Sequence, residues 1–174
     1  MANFWSFLML EYRAFTVLFD KITDELTSPI KIWSGFVTGK PVNTTPIEAT
    51  ALWDTGAIAT CIKPWLKDKL NLRLISTQTL LAGVGGEINA HITLVNIQLM
   101  CNVEICDCPV YVADFPGDED ILIGMDIINM GDFVVCNTDS KTSFSFAIPP
   151  LPERTNFVDI VKTVNENNKS TEEK

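Results

Sequence analysis

Apolar side chains at Phe4, Leu8, Tyr12, Phe15, Phe19, Ile22 and Leu26 fall in steps of four and three, which keeps one face of a helix apolar. The spacing predicts an amphipathic helix within an N-terminal extension, residues 1–28. Glu11 and Arg13 interrupt the run well short of the ~18 uninterrupted apolar residues of a membrane span, and no basic segment precedes it as in a secretory signal. Packing against its own domain or a second subunit is expected of this face. Membrane contact through residues 1–28 is the less favoured alternative.

After Ser28-Pro29 the period shortens to that of strands. Ile30, Ile32, Trp33, Phe36 and Val37 predict one strand, and Ile47, Ala49, Ala51 and Trp53, alternating with Glu48, Thr50 and Leu52, predict a second. Ile58 to Ile62 predict a short return strand. Pro64 opens a helical turn with Trp65, Leu66 and Leu70 directed inward. Thr77 to Ala82 and Glu87 to Met100 form strands joined by Gly83-Val84-Gly85-Gly86, whose glycines permit the positive φ angles of a tight hairpin. Further on, Cys108 to Ala113 predict a strand. Ile121-Leu122-Ile123 predict another, followed by Gly124 and a helix of one or two turns closed by Gly131. A hairpin of Phe133 to Cys136 and Thr142 to Ile148 turns at residues 137–141. The prolines of Pro149-Pro150-Leu151-Pro152 end the sheet. Phe157, Ile160, Val161 and Val164 mark a short helix over 155–164, and roughly residues 165–174 are expected to be disordered. The whole reads as a mainly β domain over 30–148 with a Pro-rich, then polar, tail over 149–174.

Composition narrows the function. A chain of 174 residues, 47% hydrophobic and 20% charged, suits one globular unit with extensions. With 13 Lys+Arg against 22 Asp+Glu, a net charge of -9 and no basic cluster, nucleic acid is not an expected ligand. The single histidine, His91, falls on the polar face of its strand, which argues against a Ser-His or Cys-His nucleophile pair. Five cysteines, an odd number without a cleavable signal, point to a reduced, cytoplasmic setting. Cys101, Cys106 and Cys108 lack the paired spacing of a metal site and read as small hydrophobes, so neither metal nor cofactor is expected.

Asp54 stands out. An acid at the end of an apolar strand, with Leu52, Trp53, Ala57 and Ile58 predicting burial, would cost several kcal/mol as an unpaired charge, so it needs partners or a shared proton. A turn-forming Asp that caps its own backbone is the structural alternative. The glycines at 83–86 could suggest a phosphate loop, but the sequence has no G-x-x-x-x-G-K-[ST] and no following helix pattern.

Ala51-Leu52-Trp53-Asp54-Thr55-Gly56-Ala57, then Gly83-Val84-Gly85-Gly86, then Ile121-Leu122-Ile123-Gly124-Met125-Asp126, together resemble the retroviral-type (retropepsin-like) aspartic proteases, most closely their cellular and bacterial members. The resemblance spans roughly residues 30–148 and implies a retropepsin-like closed β-barrel with one or two short helices. It implies that Asp54 is the catalytic carboxylate, with Thr55 bracing the opposing loop and Gly56 bringing backbone amide close to the carboxylates. Gly83, Val84, Gly85 and Gly86 would form the mobile flap. Ala57, Ile58, Ile123 and Gly124 would line or floor the groove for an extended polypeptide. The chain contains no second Asp-Thr/Ser-Gly, so the resemblance further implies a homodimer that pairs two copies of Asp54. Where many viral members place Arg after the floor glycine, this chain has Met125, and Ala57 to Thr60 contains no acid to meet it. The alternative reading is a catalytically silent peptide-binding or dimerisation module of the same fold.

Overall fold

The computed structural model describes residues 11–36, 44–82 and 86–172. Seven strands form the main sheet: β2 (Thr27–Ser34), β3 (Ile47–Trp53), β4 (Cys61–Ile62), β5 (Ser76–Ala82), β6 (Gly86–Gln98), β7 (Glu104–Val112) and β8 (Ile121–Ile123). Their order is β2-β3-β8-β4-β7-β6-β5, and β2 also pairs with β6, so six strands close into a barrel and β5 extends outward from β6. Closure removes the edges of the six barrel strands and leaves β5 paired on one side only. Side chains two residues apart fill the interior: Ile30 and Ile32, Ala49, Ala51 and Trp53, Val95 and Ile97, Val110, Ile121 and Ile123 are all buried.

Two helices punctuate the barrel. In α1 (Pro64–Lys69), proline occupies the first turn and Leu66 is buried. α2 (Met125–Ile128) is a single turn that begins at Gly124 and buries Ile127 and Ile128. The sequence placed Trp65 inward with Leu66 and Leu70, but Trp65 is 41% exposed because so short a helix buries only a narrow stripe. The return strand is also shorter than expected, β4 alone, since residues 58–60 are taken up by contacts to the β8–α2 junction.

A second, three-stranded sheet orders β1 (Arg13–Leu18), β10 (Lys141–Ile148) and β9 (Asp132–Thr138), with β10 in the middle. The β9–β10 turn places Asp139 and Ser140 at φ 52° and 60°, the two positive angles of a type I′ hairpin. Phe15, Phe19, Phe133, Phe144 and Phe146 project from this sheet and its flank into one aromatic cluster, with Trp53 of the barrel among them.

β1 overturns the N-terminal helix over its described part. Phe15 and Val17 face the core while Ala14, Thr16 and Leu18 face outward, a period of two, and Tyr12 and Ile22 of the expected helical face are exposed. The physical reason is competition. An open edge on β10 offers backbone partners from Arg13↔Ile148 to Leu18↔Ser143, and the Phe15-Thr16-Val17 run suits a strand. The part of the predicted helix before residue 11 lies outside the described residues.

The tail departs from expectation in the other direction. α3 (Phe157–Glu172) continues through residues expected to be disordered. Asn156 accepts the Val158 backbone N–H at 3.0 Å and donates to Asp159 at 2.6 Å, starting the helix, and no Pro or Gly follows to stop it. Phe157, Val158, Ile160, Val161 and Val164 are all exposed on it. No helix among the described residues is long and apolar enough to cross a membrane.

Candidate active site

β3 runs through the barrel wall parallel to β8, pairing Ala51↔Ile121, Leu52↔Leu122 and Trp53↔Ile123, and delivers Asp54 where the pairing ends. Trp53 fixes that end. It is 3% exposed, its indole N–H donates to Ser28 Oγ at 2.9 Å, and its backbone N–H donates to the Leu26 carbonyl at 2.8 Å. One residue on, the Asp54 N–H donates to the Ile123 carbonyl at 3.0 Å.

The chain then turns tightly. The Gly56 N–H donates to Asp54 Oδ1 at 2.8 Å, and the Ala57 N–H donates to the Asp54 carbonyl at 3.2 Å. A Cβ on Gly56 would stand 3.1 Å from the same Oδ1, so glycine lets the amide approach this closely. Asp54 is half-buried, and Thr55 and Gly56 are exposed at the tip of the loop. The expected burial around Asp54 is met by Trp53 alone: Leu52 and Ala57 are half-buried, and Ile58 is 87% exposed. The loop presents its carboxylate and an aliphatic side chain at the surface instead of enclosing them.

Beneath the loop lies the β8–α2 junction. A Cβ on Gly124 would fall 2.6 Å from the Ala59 carbonyl carbon, so the two backbones touch and only glycine fits. The Met125 N–H donates to the Ala57 carbonyl at 2.8 Å and the Asp126 N–H to the Ile58 carbonyl at 3.2 Å. In place of an arginine after the glycine and an acid on the loop, the link is reversed. The acid sits on the α2 side, with Asp126 Oδ2 accepting the Thr60 N–H at 2.9 Å and Oδ1 accepting the Thr60 hydroxyl at 2.7 Å. That hydroxyl in turn accepts the Gly124 N–H at 3.2 Å. Sequence reasoning missed Thr60 and Asp126 as a pair. The only signal was a first-turn acid after Gly124 and a hydroxyl residue shortly past Asp54, which specifies no pairing.

The remaining predicted site residues divide. Ile123 is fully buried in the barrel and Gly124 is buried under Ala59, so neither lines a surface in this chain; they are the floor on which the loop rests. The parallel β3–β8 pairing sets Ile123 beside Trp53, directly under the start of the Asp54 loop. Gly86 begins β6, opposite Ala82 of β5, so the β5–β6 hairpin exists as a backbone ladder. Gly83, Val84 and Gly85, its tip, lie outside the described residues. His91 is exposed on β6, opposite Thr77.

The thiols near the site are chemically quiet. Burial, and secondarily the Asp126 charge, pushes both Cys61 and Cys108 up to about 11, so both stay protonated at neutral pH. All five cysteines are free. Among the described residues, no three His, Cys, Asp or Glu side chains come together as metal ligands do.

An Asp-Thr-Gly turn at the end of a barrel strand, seated on an Ile-Gly floor, agrees with the match of residues 41–130 to the family model described as "gag-polyprotein putative aspartyl protease", which spans just over half of the chain. The chain belongs to the retropepsin-like aspartic protease family. Solved structures similar to it include a retropepsin-like aspartic protease from Rickettsia conorii, at 16% identity and a TM-score of 0.48, covering 79% of this chain and 96% of that one. The retroviral protease-like domain of Ddi1 from Leishmania major is 18% identical with a TM-score of 0.42, covering 78% and 100%. The EIAV protease in complex with the inhibitor HBY-793 is 24% identical with a TM-score of 0.42, covering 60% and 85%. No curated protein sequence matches the chain.

Proposed function

We propose that the protein is an aspartic endopeptidase that works as a homodimer, each subunit supplying one Asp54. The observation that carries this reading is the seating of Asp54: a half-exposed carboxylate fixed by its own backbone to Ile123, with the Gly56 N–H on one oxygen, at the surface of a family-typical loop. Acid–base chemistry of this kind needs a second carboxyl beside the first. Two, brought about 3 Å apart across a twofold axis, would hold a single shared proton, because both cannot ionise comfortably at that distance, as is general among aspartic proteases. The ionised member takes a proton from water as the water attacks the scissile carbonyl, and the protonated member donates to the carbonyl oxygen. The two apparent pKa values belong to the pair.

Polypeptide is the substrate this arrangement suits. An extended segment would pair its backbone between the floor loop and the β5–β6 hairpin, as an added strand does. In this reading Gly83, Val84, Gly85 and Gly86 close over it and exclude water, while Ala57, Ile58 and Val84 supply apolar pocket walls, favouring bonds flanked by large apolar residues. Thr55, exposed at the loop tip, would meet its counterpart across the axis.

The test is incubation with a mixed peptide library, with sedimentation in parallel, comparing wild type, Asp54→Asn and wild type with a pepstatin-like transition-state analogue. Dimers that cleave, and that lose cleavage with Asp54→Asn and with the analogue, are expected. A strict monomer, or turnover indifferent to Asp54→Asn, would overturn the reading; a dimer that binds peptides without cleaving them would favour the silent module of the same fold.

A further inference from the structure

Six hydrogen bonds join loop 54–60 to residues 123–126, and they are of two kinds. Three run between backbone groups: Asp54 N–H to Ile123, Met125 N–H to Ala57 and Asp126 N–H to Ile58. Any sequence that held this path could make those. The other three depend on two side chains alone, Thr60 and Asp126.

The pair is organised by the donor and acceptor capacities of its groups. A carboxylate only accepts, so the Thr60 hydroxyl must give it its proton, at 2.7 Å, and a lone pair is thereby left aimed at the Gly124 N–H. The second carboxylate oxygen takes the Thr60 backbone N–H at 2.9 Å. Thr60 is fully buried, which leaves its hydroxyl no water to turn to, while Asp126 is exposed on its outer side and also accepts the Ile127 N–H at 2.9 Å. One acidic side chain thus holds both hydrogen-bond donors of the residue at the far end of the loop that begins with Asp54.

The near end of the loop is anchored to the same short segment through Ile123, and Gly124 lies in backbone contact with Ala59 between them. A tilt at Thr60 is therefore passed to Asp54 with little slack to absorb it. We propose that Asp126, acting through Thr60, is a positioning residue that sets where the Asp54 carboxylate stands; this rests on the reading of Asp54 as half of a catalytic dyad. Two carboxylates that must meet to share a proton tolerate displacement poorly, and a misplacement of about 1 Å can cost on the order of a hundredfold in rate. Neither residue touches the reacting atoms.

The experiment compares wild type with Asp126→Asn, Thr60→Val and Thr60→Ser by steady-state peptide cleavage, sedimentation and amide hydrogen exchange. Asparagine keeps an acceptor on one side and turns a donor toward a donor on the other. Valine keeps the shape of threonine without its hydroxyl, and serine keeps the hydroxyl. Asp126→Asn and Thr60→Val are expected to lower kcat tenfold or more with KM within twofold, Thr60→Ser to stay within threefold of wild type, and the dimer fraction to be unchanged. Exchange in the first two variants should quicken tenfold or more at Thr60, Gly124, Met125 and Asp126, and stay as in wild type at Val95 and Val110 of the barrel. Unchanged exchange at Thr60 and Gly124, or exchange that quickens equally in the barrel, overturns the proposal. A wild type without cleavage sinks the protease reading separately, and with it the positioning role proposed for Asp126, whatever the exchange shows of the clamp itself.

Discussion

The indole of Trp53 lies flat on the ring of Phe133, with centroids 5.6 Å apart and planes 9° from parallel. The residue immediately before Asp54 is thus held by a strand of the second sheet as well as by its own barrel. Trp53→Ala is expected to cost about 3–5 kcal/mol, the range for a buried aromatic, read from urea unfolding midpoints. In a double-mutant cycle with Phe133→Leu, the pair should show a coupling of roughly 0.5–1.5 kcal/mol beyond the burial each ring contributes. Strict additivity would mean that the two rings are neighbours without being partners.

Phe15 carries the attachment of β1. Its ring lies 5.8 Å from Trp53 and meets Phe144 edge-on at 82°. Phe15→Ala should lower stability by roughly 2 kcal/mol, less than for a fully buried phenylalanine because Phe15 is only half-buried. Leu18, 80% exposed on the same strand, makes the control. Its change to Ser should stay within about 0.5 kcal/mol. Equal effects at the two positions, measured by thermal melting, would contradict the strand register.

Two glycines are expected to resist even alanine. At Gly124 the added Cβ would press on Ala59 backbone at 2.6 Å, and at Gly131 a Cβ would collide with the Ala147 carbonyl. Backbone cannot swing aside as a flexible side chain can, so each substitution should cost about 1–3 kcal/mol of overpacking. The two differ in where the damage falls. Gly124→Ala should also depress peptide cleavage, since it moves loop 54–60, whereas Gly131→Ala should act on stability alone. Denaturation curves paired with cleavage rates separate them.

The protonated thiols of Cys61 and Cys108 give a pH dependence with a definite sign. Both are raised from an ordinary 9.0 to about 11 in the folded protein, by burial first and the Asp126 charge second. Between those values the native chain keeps protons that the unfolded chain has released, so unfolding becomes easier as pH rises. Their contribution is fully present below pH 9 and lost by about pH 11. Urea midpoints compared at about pH 8 and about pH 10.5, below and within that window, should fall less steeply in a Cys61→Ala, Cys108→Ala double variant than in wild type. In native buffer at mildly alkaline pH, exposed Cys106 and Cys136 should alkylate well before half-buried Cys61 or buried Cys108.

The parts of this fold that were legible in the sequence are those where one pattern had one solution. Ile47 to Trp53 alternates cleanly, ends in Asp54-Thr55-Gly56, and is β3 as expected. Gly124 between an aliphatic triplet and a short amphipathic turn could serve as little else, and β8 and α2 lie where it implies. The N-terminal segment misled because Phe15 and Phe19 belong to both a helical series and an alternating one with Val17, and the choice was made by an edge on β10, far along the chain. Asp126 and Thr60 were illegible for a related reason: separated by 66 positions, they acquire meaning only when β8 settles beside β3. The tail misled through composition, since Lys and Glu suit an exposed helix as well as coil, and the Asn156 cap starts the helix.

The parallel pairing of β3 with β8 also sets an order in time. A chain leaving the ribosome presents Asp54 before Ile123, Gly124 and Asp126, which seat its loop, and before Phe133, Phe144 and Phe146, which hold Trp53. Non-local contacts of this kind form late because the intervening chain must be ordered before they repay it. A nascent or truncated chain therefore carries the acidic triplet without the geometry that surrounds it, and the arrangement around Asp54 is completed only when synthesis of the domain is.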